Sequence, residues 1–402
     1  MKILYVCHRI PFPPKRGGKI RPFNMIRHLT SRGHSVTVAS LARTPAELEE
    51  GRGLTAHCAK LLAEVIPDTV AWPRMVAWLP SSQPSSFAYF YSPQLARRIS
   101  SELSGGGYDL IFVHCSSVAP YVAQVSGPRK ILDYGDMDSQ KWREYSSYRP
   151  FPLSLGYRLE AVKLERMERE LAGKFDLCTC TTAAELVSLR QLGVQTPSDW
   201  FPNGVDSEFF KPAQASYDND LIVFVGRMDY FPNQQAVLGF TRDTLPRLRE
   251  RRPQLRFQIV GADPPAHIKA LERLPGVSVT GSVPDVRPFV TRAALTVAPL
   301  EIARGTQNKI LESMAMGVPV VCSTAAAGGV DAEPGVHLLT AGDTGEYVSA
   351  IISLLESGAR RAQLAEAGRE RVLTHHSWPS SMRRLDALLN QNHQKLNEPV
   401  QV

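Results

Sequence analysis

Short apolar runs alternate with segments of helical periodicity along most of this chain. The first run, Lys2 to Cys7, leads through a Pro- and Gly-containing loop, Pro11 to Gly18, into a helical pattern from about Ile20 to Arg32. A second run follows from Ser35 to Ser40. Buried strands separated by helices are typical of βα units in a parallel sheet. The chain is therefore predicted to begin as an α/β domain.

The same alternation resumes after a polar junction, Phe201 to Pro212 (FPNGVDSEFFKP). Its Pro, Gly and Asp content marks a linker between two compact halves. Further strands are predicted at residues 221–225, 257–260, 277–280 and 295–298. We therefore predict two Rossmann-like, doubly wound parallel-sheet domains, residues 1–202 and 203–375.

One stretch in the second half, Ala298 to Cys322, reads as a strand, a polar loop around Gly305, a helix and a further strand. Ligands of open α/β sheets bind at the carboxyl ends of strands, where a helix N-terminus offers unpaired N–H groups to an anion. Thr306 is predicted to be the N-cap, with Lys309 one turn inside the helix. This loop is therefore the predicted site for a diphosphate.

Glycines follow several predicted strands and suggest close approach of backbone to a ligand. Gly226-Arg227 and Gly261 follow two strands of the second half, and Arg227 is suited to grip a phosphate with two N–H groups. The alternative for Arg227 is a surface ion pair. Gly17-Gly18, at a strand-to-helix turn of the first half, either approaches a phosphate or sugar or only makes a tight turn.

Two polar features of the first half are candidates for chemistry. His114 follows a predicted strand, Tyr108 to Val113, where it either has a structural role or acts on a sugar or proton. Asp136-Met137-Asp138 is a DxD, which holds a divalent metal in some glycosyltransferases, but capping and turn roles are the favoured interpretation here. No metal site is therefore predicted.

The charge of the chain is uneven, and this narrows the possible partners. Residues 1–200 hold 25 Lys and Arg against 18 Asp and Glu, whereas residues 201–402 hold 21 of each. No nucleic-acid motif accompanies the basic half, so an anionic membrane surface or a phosphate-bearing substrate is the expected partner, with a solvated basic surface as the alternative. Aromatic residues are dense between 60 and 100; core packing accounts for most of them, but their density in a loop-rich region also fits an acceptor-facing or membrane-facing surface.

The chain is expected to be cytoplasmic, because no apolar run reaches the length of a membrane span and no signal peptide is recognisable. Its six cysteines lack metal-ligand spacing and are predicted to be reduced core residues.

Several motifs together resemble glycosyltransferase family 4, whose members are retaining enzymes of the GT-B architecture, with two Rossmann-like domains facing a cleft. These motifs are FPNGVDSEFFKP, the VGR that ends at Arg227, and KILESMAMGVPVV. FVGRMDYFPN, VTGSVPDVRP and RGTQNKILESMAMG resemble more narrowly the sugar transferases found with PEP-CTERM/exosortase exopolysaccharide loci. The resemblance implies an N-terminal acceptor domain, a C-terminal donor domain, and a last helix, about 376–392, that crosses back to the first.

The resemblance also implies roles for individual residues. Glu312 would accept hydrogen bonds from the donor ribose, Arg227 would bind the donor diphosphate, and His114 would meet the transferred sugar. Gly17-Gly18 would lie under the diphosphate and acceptor. The donor-site prediction comprises Gly17, Gly18, Arg227, Gly261, Val283, Arg304, Gly305, Thr306, Lys309 and Glu312, and the catalytic prediction His114, Arg227, Lys309 and Glu312.

The implied activity is transfer of a sugar from a nucleoside diphosphate sugar to a glycan, lipid-linked, in exopolysaccharide synthesis. It would retain configuration and need no metal or other cofactor. The enzyme would be peripheral on the cytoplasmic face of the inner membrane. Base selection is expected from backbone contacts near Gly261 and Val283.

Two positions depart from the family pattern. Arg304 replaces the first glutamate of the family's E-x7-E, and the family's lysine after the arginine is replaced at about Asn233. Our hypothesis is that Arg304 and Lys309 supply the missing counter-charge for the leaving diphosphate. A catalytically silent nucleotide-sugar-binding subunit and a nucleotide-sugar epimerase of the same architecture remain the alternatives.

Overall fold

The computed structural model describes residues 1–14, 17–213 and 216–390. The chain divides into two compact units: Met1–Pro202 with residues 382–390, and Asn203–Ser381. Each unit is built on one parallel β-sheet with helices between its strands.

The N-terminal unit holds, among its described residues, a seven-stranded sheet in the order β3-β2-β1-β4-β5-β6-β7. Its strands are β1 Lys2–Cys7, β2 Ser35–Ala42, β3 Lys60–Val65, β4 Leu110–His114, β5 Arg129–Gly135, β6 Leu177–Cys180 and β7 Ser198–Trp200. All neighbouring strands pair in parallel. The central strands are buried on both faces, as their continuous apolar sequences require.

Helices follow most strands of this unit, and side chains cap several of them. They are α1 Gly17–Ser31, α2 Pro45–Gly51, α3 Asp68–Trp78, α4 Ser85–Tyr89, α5 Pro93–Ser104, α6 Asp138–Ser146, α7 Leu153–Ala172 and α8 Ala183–Gln191, with 3₁₀ turns at Arg52–His57 and Ser116–Tyr121. At α5 and α8 the N-cap hydroxyls of Ser92 and Thr182 accept hydrogen bonds from the third helical N–H.

The C-terminal unit holds, in the same described ranges, a six-stranded parallel sheet in the order β10-β9-β8-β11-β12-β13. Its strands are β8 Asp218–Val225, β9 Arg256–Val260, β10 Val277–Val279, β11 Ala293–Ala298, β12 Val320–Ser323 and β13 Leu339–Ala341. Its helices are α9 Phe231–Gly239, α10 Leu245–Arg251, α11 Ala266–Lys269, α12 Arg287–Thr291, α13 Asn308–Ala315, α14 Thr324–Ala327, α15 Thr344–Glu356 and α16 Gly358–His375, with a π-helical turn at Phe240–Thr244 and a 3₁₀ turn at Ala270–Arg273. The predicted fold class, two doubly wound parallel sheets, is confirmed.

In both sheets the strand order reverses at one place, between β1 and β4 in the first and between β8 and β11 in the second. The connections on either side of such a reversal run in opposite directions, which leaves a crevice at the carboxyl ends of the two strands. His8 and His114 lie at this edge in the N-terminal unit. Arg227 and the loop after Ala298 lie at the equivalent edge of the C-terminal unit.

The last helix, α17 Trp378–Asn390, spans the boundary between the units in sequence. Its C-terminal part contacts the N-terminal unit through Asp386, whose Oδ1 lies 2.8 Å from His28 Nε2. Arg129 donates hydrogen bonds to the carbonyls of Leu388 and Leu389. Residues 391 and 392 of the predicted helix lie outside the described residues, as do Lys15 and Arg16 of the predicted Pro11–Gly18 loop.

Candidate functional site

The loop after β11 ends differently from the sequence prediction. Helix α13 begins at Asn308, its N-cap position is Gln307, and no side chain caps it. Gln307 instead donates from Nε2 to the carbonyl of Arg304 at 3.1 Å. The prediction that Thr306 is the N-cap is therefore wrong, and Lys309 is the second helical residue, not one turn inside.

Two polar side-chain atoms at this helix start lack partners within the described ranges. Thr306 Oγ1 and Asn308 Oδ1 are buried and accept no hydrogen bond there. Burying a polar atom without a partner costs free energy, so such atoms are candidates for ligand contacts. They flank the first N–H groups of α13, which also point away from the helix body.

Lys309 extends from this helix start toward the end of β8. Its Nζ donates to Asn233 Oδ1 at 2.6 Å and lies 4.9 Å from the centre of the Phe224 ring. Burial lowers the pKa of Lys309 to about 8, with the nearby Glu312 carboxylate opposing the shift. The ammonium group of Lys309 is therefore held over the Phe224 ring, near the helix start where an anion would bind.

Glu312 lies one turn further along α13 and is partly buried. Burial raises its pKa to about 7, and the charge of Lys309 opposes that shift. The lysine and the glutamate therefore each offset part of the cost of burying the other.

Asn233 joins Lys309 to Arg227, a connection that the sequence did not predict. Its Nδ2 donates to the Arg227 carbonyl at 2.8 Å, while its Oδ1 accepts from Lys309. The amide packs so closely on β8 that a Cβ at Gly226 would lie 2.7 Å from Asn233 Nδ2. Asn233 therefore fixes the Lys309 ammonium against the loop that carries Arg227.

The Arg227 guanidinium is held by two carboxylates. Nη2 donates to Asp229 at 2.7 Å and to Asp263 at 2.5 Å, and Nε donates to Asp229 at 3.1 Å. The side chain is about a third exposed, at 36%. The ion-pair alternative considered for Arg227 is therefore realised in this structure, and a diphosphate would have to share or displace these carboxylates.

Glycines after β9, in the loop before α13 and after α14 are required by the backbone around them. A Cβ on Gly261 would lie 1.8 Å from the Gly226 carbonyl oxygen, and one on Gly329 would lie 2.1 Å from that of Gly305. Gly305 also has φ of +65°, a conformation that favours glycine. Val283, predicted near the base, packs partly buried against the apolar cluster of Leu221, Val223, Val260 and Ala293.

In the N-terminal unit, His114 is part of a buried network centred on Asp133. His114 Nδ1 lies 2.7 Å from Asp133 Oδ2, and Arg21 donates to both carboxylate oxygens at 2.9 Å. Thr179 adds a hydrogen bond of 2.8 Å to Oδ1. Burial opposes ionisation of Asp133, but the Arg21 charge and the hydrogen bonds outweigh it and hold the pKa well below its usual value.

An ionised Asp133 accepts the Nδ1–H of His114, so the imidazole is oriented and its Nε2 is the acceptor in the neutral ring. Neither Asp133 nor Arg21 is among the site residues predicted from the sequence. The sequence does contain a signal for Asp133: its carboxylate lies within the apolar run of β5, and a buried charge needs a partner. Arg21, 2% exposed inside α1, carried no comparable signal.

His8, at the end of β1, is a further site residue that the sequence analysis missed. Its ring centre lies 5.9 Å from that of His114, and its buried Nδ1 has no partner within the described chain. Burial and the neighbouring His114 lower the pKa of His8 well below its usual value. Gly18, in the first turn of α1, lies beside it: a Cβ there would be 4.0 Å from His8 Nε2.

Gly17 and Gly18 open α1, rather than lying in a loop before it. The DxD residues have structural contacts: Asp136 accepts from Thr181 at 2.8 Å, and Asp138 is in the first turn of α6. Across the described ranges, no group of three or more His, Cys, Asp or Glu side chains is placed to hold a metal ion.

The predicted site residues thus fall into two groups, each within its own unit. Arg227 and the α13 residues and loop that carry Thr306, Lys309 and Glu312 lie at the reversal of the C-terminal sheet, and Asn233 links Lys309 to Arg227. His114 lies with Gly18 and His8 at the reversal of the N-terminal sheet. Each group lies where an open α/β sheet binds its ligand.

Solved structures of similar fold match nearly the whole chain. Sucrose-phosphate synthase of Thermosynechococcus elongatus superimposes with a TM-score of 0.73 at 17% identity, covering 97% of this chain and 99% of that one. HepE of Anabaena in complex with UDP gives a TM-score of 0.68 at 16% identity, with the same coverage of each chain. The fold is that of the GT-B proteins.

A relative of named activity matches only part of this chain. The GDP-mannose-dependent monoacylated alpha-(1-6)-phosphatidylinositol monomannoside mannosyltransferase of Corynebacterium glutamicum is 25% identical over 243 residues. The match spans 55% of this chain and 64% of the length of that relative.

None of the helices in the described ranges combines the length and apolarity needed to cross a bilayer.

Two family models match successive parts of the chain. Residues 16–209 match "Glycosyltransferase Family 4", and residues 219–357 match "Glycosyl transferases group 1". With the GT-B fold of both units, these matches show that the chain belongs to the family 4 glycosyltransferases.

Proposed function

We propose that this protein is a retaining, metal-independent glycosyltransferase that moves a sugar from a nucleoside diphosphate sugar to a glycan acceptor. The observation that carries the donor assignment is the position of Lys309: Asn233 holds its ammonium group at the sheet reversal of the C-terminal unit. The same helix start carries two buried oxygens, of Thr306 and Asn308, that have no partner within the described chain. An ammonium group set among N–H donors is suited to a diphosphate.

In this proposal the donor diphosphate lies at the N-terminus of α13. Lys309 and Arg227 offset the negative charge that grows on the leaving diphosphate as the bond from the anomeric carbon to its oxygen breaks. Thr306 Oγ1 donates a hydrogen bond to a phosphate oxygen, which would give it the partner that it lacks within the described chain. Glu312 accepts from the ribose hydroxyls.

The two departures from the family pattern fit this arrangement. Lys309 reaches the position beside Asn233, so its ammonium group supplies the charge that the family's lysine would bring. Arg304 in place of a glutamate adds a second positive charge to the loop. The anomeric carbon consequently has no carboxylate from position 304, and stabilisation of the leaving group becomes the main catalytic contribution.

His114 contacts the transferred sugar in this proposal. Asp133 holds the imidazole in one orientation and tautomer, so that Nε2 accepts a hydrogen bond from a sugar hydroxyl. The acceptor hydroxyl attacks the anomeric carbon on the face that the diphosphate leaves, and its proton passes to the departing phosphate oxygen. Retention of configuration follows from the family resemblance.

The proposed acceptor is a lipid-linked glycan of exopolysaccharide synthesis, and the proposed location is the cytoplasmic face of the inner membrane. Support comes from the motifs shared with exosortase-associated sugar transferases and from the basic N-terminal half. The curated relative acts, by its name, on a phosphatidylinositol mannoside. The names of similar proteins include both GDP-mannose and UDP, so the test uses several donor bases.

The test is isothermal titration and product analysis with UDP-, GDP- and ADP-sugars and a lipid-linked acceptor. Lys309→Ala is expected to weaken donor binding by roughly tenfold to a hundredfold, which corresponds to a charge-assisted hydrogen bond. Lys269→Ala, on the exposed face of α11, is the matched control and should bind like the unaltered protein. Full donor affinity and activity in Lys309→Ala would remove Lys309 from the proposal.

The alternatives give different products in the same assay. Donor binding without transfer or epimerisation, with acceptor present, would favour a silent binding subunit. Conversion of the donor sugar to its epimer would favour the epimerase.

A further inference from the structure

Two helices of the N-terminal unit expose regular apolar stripes. On α3 and its C-cap, Trp72, Val76 and Leu79 are exposed at successive turns. On α7, Leu155, Leu159 and Val162 repeat the same spacing. Residues three or four apart share one helix face, so each stripe is continuous along its helix. A surface helix normally turns such a stripe toward the core.

The two stripes belong to one surface, because α7 is bonded to the segment that follows α3. Lys163 on α7 donates to the carbonyl of Leu79 at 2.7 Å. The buried Glu160 carboxylate accepts from the N–H of Ser85, the N–H of Ser86 and the Ser85 hydroxyl. The end of α3 and the middle of α7 are thus held side by side.

The exposed apolar area extends beyond these stripes at both helices. Phe151, just before α7, is 80% exposed, the highest value among the large apolar side chains of the described residues, and Leu153 is 57% exposed. Trp78 at the end of α3 is also exposed. We define the α3–α7 surface as Trp72, Val76, Trp78, Leu79, Phe151, Leu153, Leu155, Leu159 and Val162.

The charges around this surface are almost all positive. Residues 69–92, which hold most of α3 and all of α4, contain Arg74 and no Asp or Glu. Between residues 148 and 163 the only acidic residue is Glu160, which is 2% exposed and bound to Ser85 and Ser86. The same segment carries Arg149, Arg158 and Lys163. The nearest exposed carboxylates on these helices are Asp68, the first residue of α3, and Glu165 on α7, and each lies in an ion pair, with Arg43 and Arg143 respectively. The net charge along the apolar side chains is therefore positive.

We propose that the α3–α7 surface docks the N-terminal unit on an anionic lipid bilayer. Exposed tryptophans suit the boundary between headgroups and acyl chains, while apolar side chains enter the acyl layer and arginines meet lipid phosphates. A second copy of the chain is a poorer partner, since a symmetric contact would set the basic borders against each other.

This inference deepens the proposed function, because a docked N-terminal unit brings the enzyme to a lipid-linked acceptor. The donor-binding residues all lie in the other unit apart from Gly17 and Gly18, and none belongs to the α3–α7 surface. Donor binding and bilayer binding are therefore separable by substitution.

The test measures binding of the full chain to phosphatidylcholine vesicles with and without phosphatidylglycerol, by co-sedimentation. The test variant is Val76→Ser with Leu159→Ser, and the control is Val187→Ser with Leu274→Ser, two side chains of similar exposure on other faces. A charge variant, Arg158→Gln, is matched by Arg251→Gln, on the exposed end of α10. Emission of Trp72 and Trp78, the tryptophans most exposed in the described chain, reports insertion directly.

Binding is expected only with phosphatidylglycerol, accompanied by a blue shift of the tryptophan emission. Val76→Ser with Leu159→Ser should lower the partition coefficient by roughly tenfold or more for each side chain, and Arg158→Gln by about fivefold. Both controls should partition like the unaltered protein.

Equal partitioning of the test and control variants would overturn the proposal. A dimer of the unaltered protein, detected by light scattering and lost in the test variant, would also overturn the proposal, because the surface would then pair with a second copy. Titration of a nucleotide sugar distinguishes the two proposals: if the unaltered protein binds the donor but not the phosphatidylglycerol vesicles, the docking surface alone is refuted.

Discussion

Asp133→Asn tests the network that orients His114. The substitution keeps the shape of the side chain but removes its charge, while Arg21 stays buried at 2% exposure. The carboxylate now accepts two hydrogen bonds from Arg21, one from His114 and one from Thr179. Asparagine provides one oxygen, so at least one of these donors loses its partner.

Breaking a buried ion pair by removing one partner costs about 3 to 5 kcal/mol, because the remaining charge is left uncompensated. For a unit of this size each kcal/mol lowers the Tm by roughly 2 to 4 °C, so a fall of about 6 to 20 °C is expected. Asp136→Asn is the matched control: Asp136 is partly buried and accepts from Thr181, so its loss should cost only about 1 kcal/mol. Scanning calorimetry measures both.

The stability that Asp133 contributes should fall at low pH. The pKa of Asp133 is lowered in the folded protein, so its contribution to stability is fully present above the unfolded value of about 4 and is lost as pH falls toward the folded value. The Tm difference between the unaltered protein and Asp133→Asn should therefore shrink below about pH 4. If the proposed function holds, transfer activity at neutral pH should fall by about a hundredfold, since His114 loses its fixed tautomer.

Equal Tm values for Asp133→Asn and Asp136→Asn at pH 7 would contradict the stabilising role of the Asp133 carboxylate. An unchanged Tm difference at pH 3 would refute the electrostatic origin.

Two further predictions concern the C-terminal unit. Donor affinity should fall as pH rises through about 8, because the pKa of Lys309 is about 8 in the folded protein and only its ammonium form attracts a diphosphate. Titration calorimetry at pH 7 and pH 9 should show a loss of affinity of about tenfold. The same loss in Lys309→Ala would contradict the assignment of this pH dependence to Lys309. Gly261→Ala should lower the free energy of unfolding by about 3 kcal/mol or more in a denaturant titration, because its Cβ would lie 1.8 Å from the Gly226 oxygen. The control is Gly239→Ala in α9, which has open space and is expected to stabilise by about 0.5 to 1 kcal/mol; similar midpoints for the two variants would contradict the packing argument.

The alternation of apolar runs and helical patterns was sufficient to predict both sheets. Continuous apolar runs such as Lys2 to Cys7 are typical of strands buried on both faces of a parallel sheet with helical connections, and this strand is paired in parallel on both sides. Arg227 and the α13 loop each follow an apolar run that was predicted to be a strand. Both were therefore predicted to lie at the carboxyl ends of the strands, because the direction of the chain determines which end of a strand bears the following loop.

Local signals were less reliable at the helix start in that loop. Thr306 has the residue type and position of an N-cap, yet the backbone turns so that Gln307 takes that position and its amide binds the loop carbonyls. Capping depends on backbone dihedral angles over several residues, and side-chain type alone does not determine them.

Contacts between distant residues were decided by tertiary structure alone. The sequence placed a histidine at the end of β4 and an aspartate in β5, but only the pairing of these strands brings His114 within hydrogen-bond reach of Asp133, with Arg21 from a third element. In the same way Asn233 and Lys309 are separated by 76 positions, and the packing of α9 and α13 on adjacent strands joins them. The pattern of apolar and polar residues in the sequence indicates which faces of each element are buried and the order of the elements along the chain. Contacts between polar groups depend on strand order and register, and these arise from the packing of the whole unit.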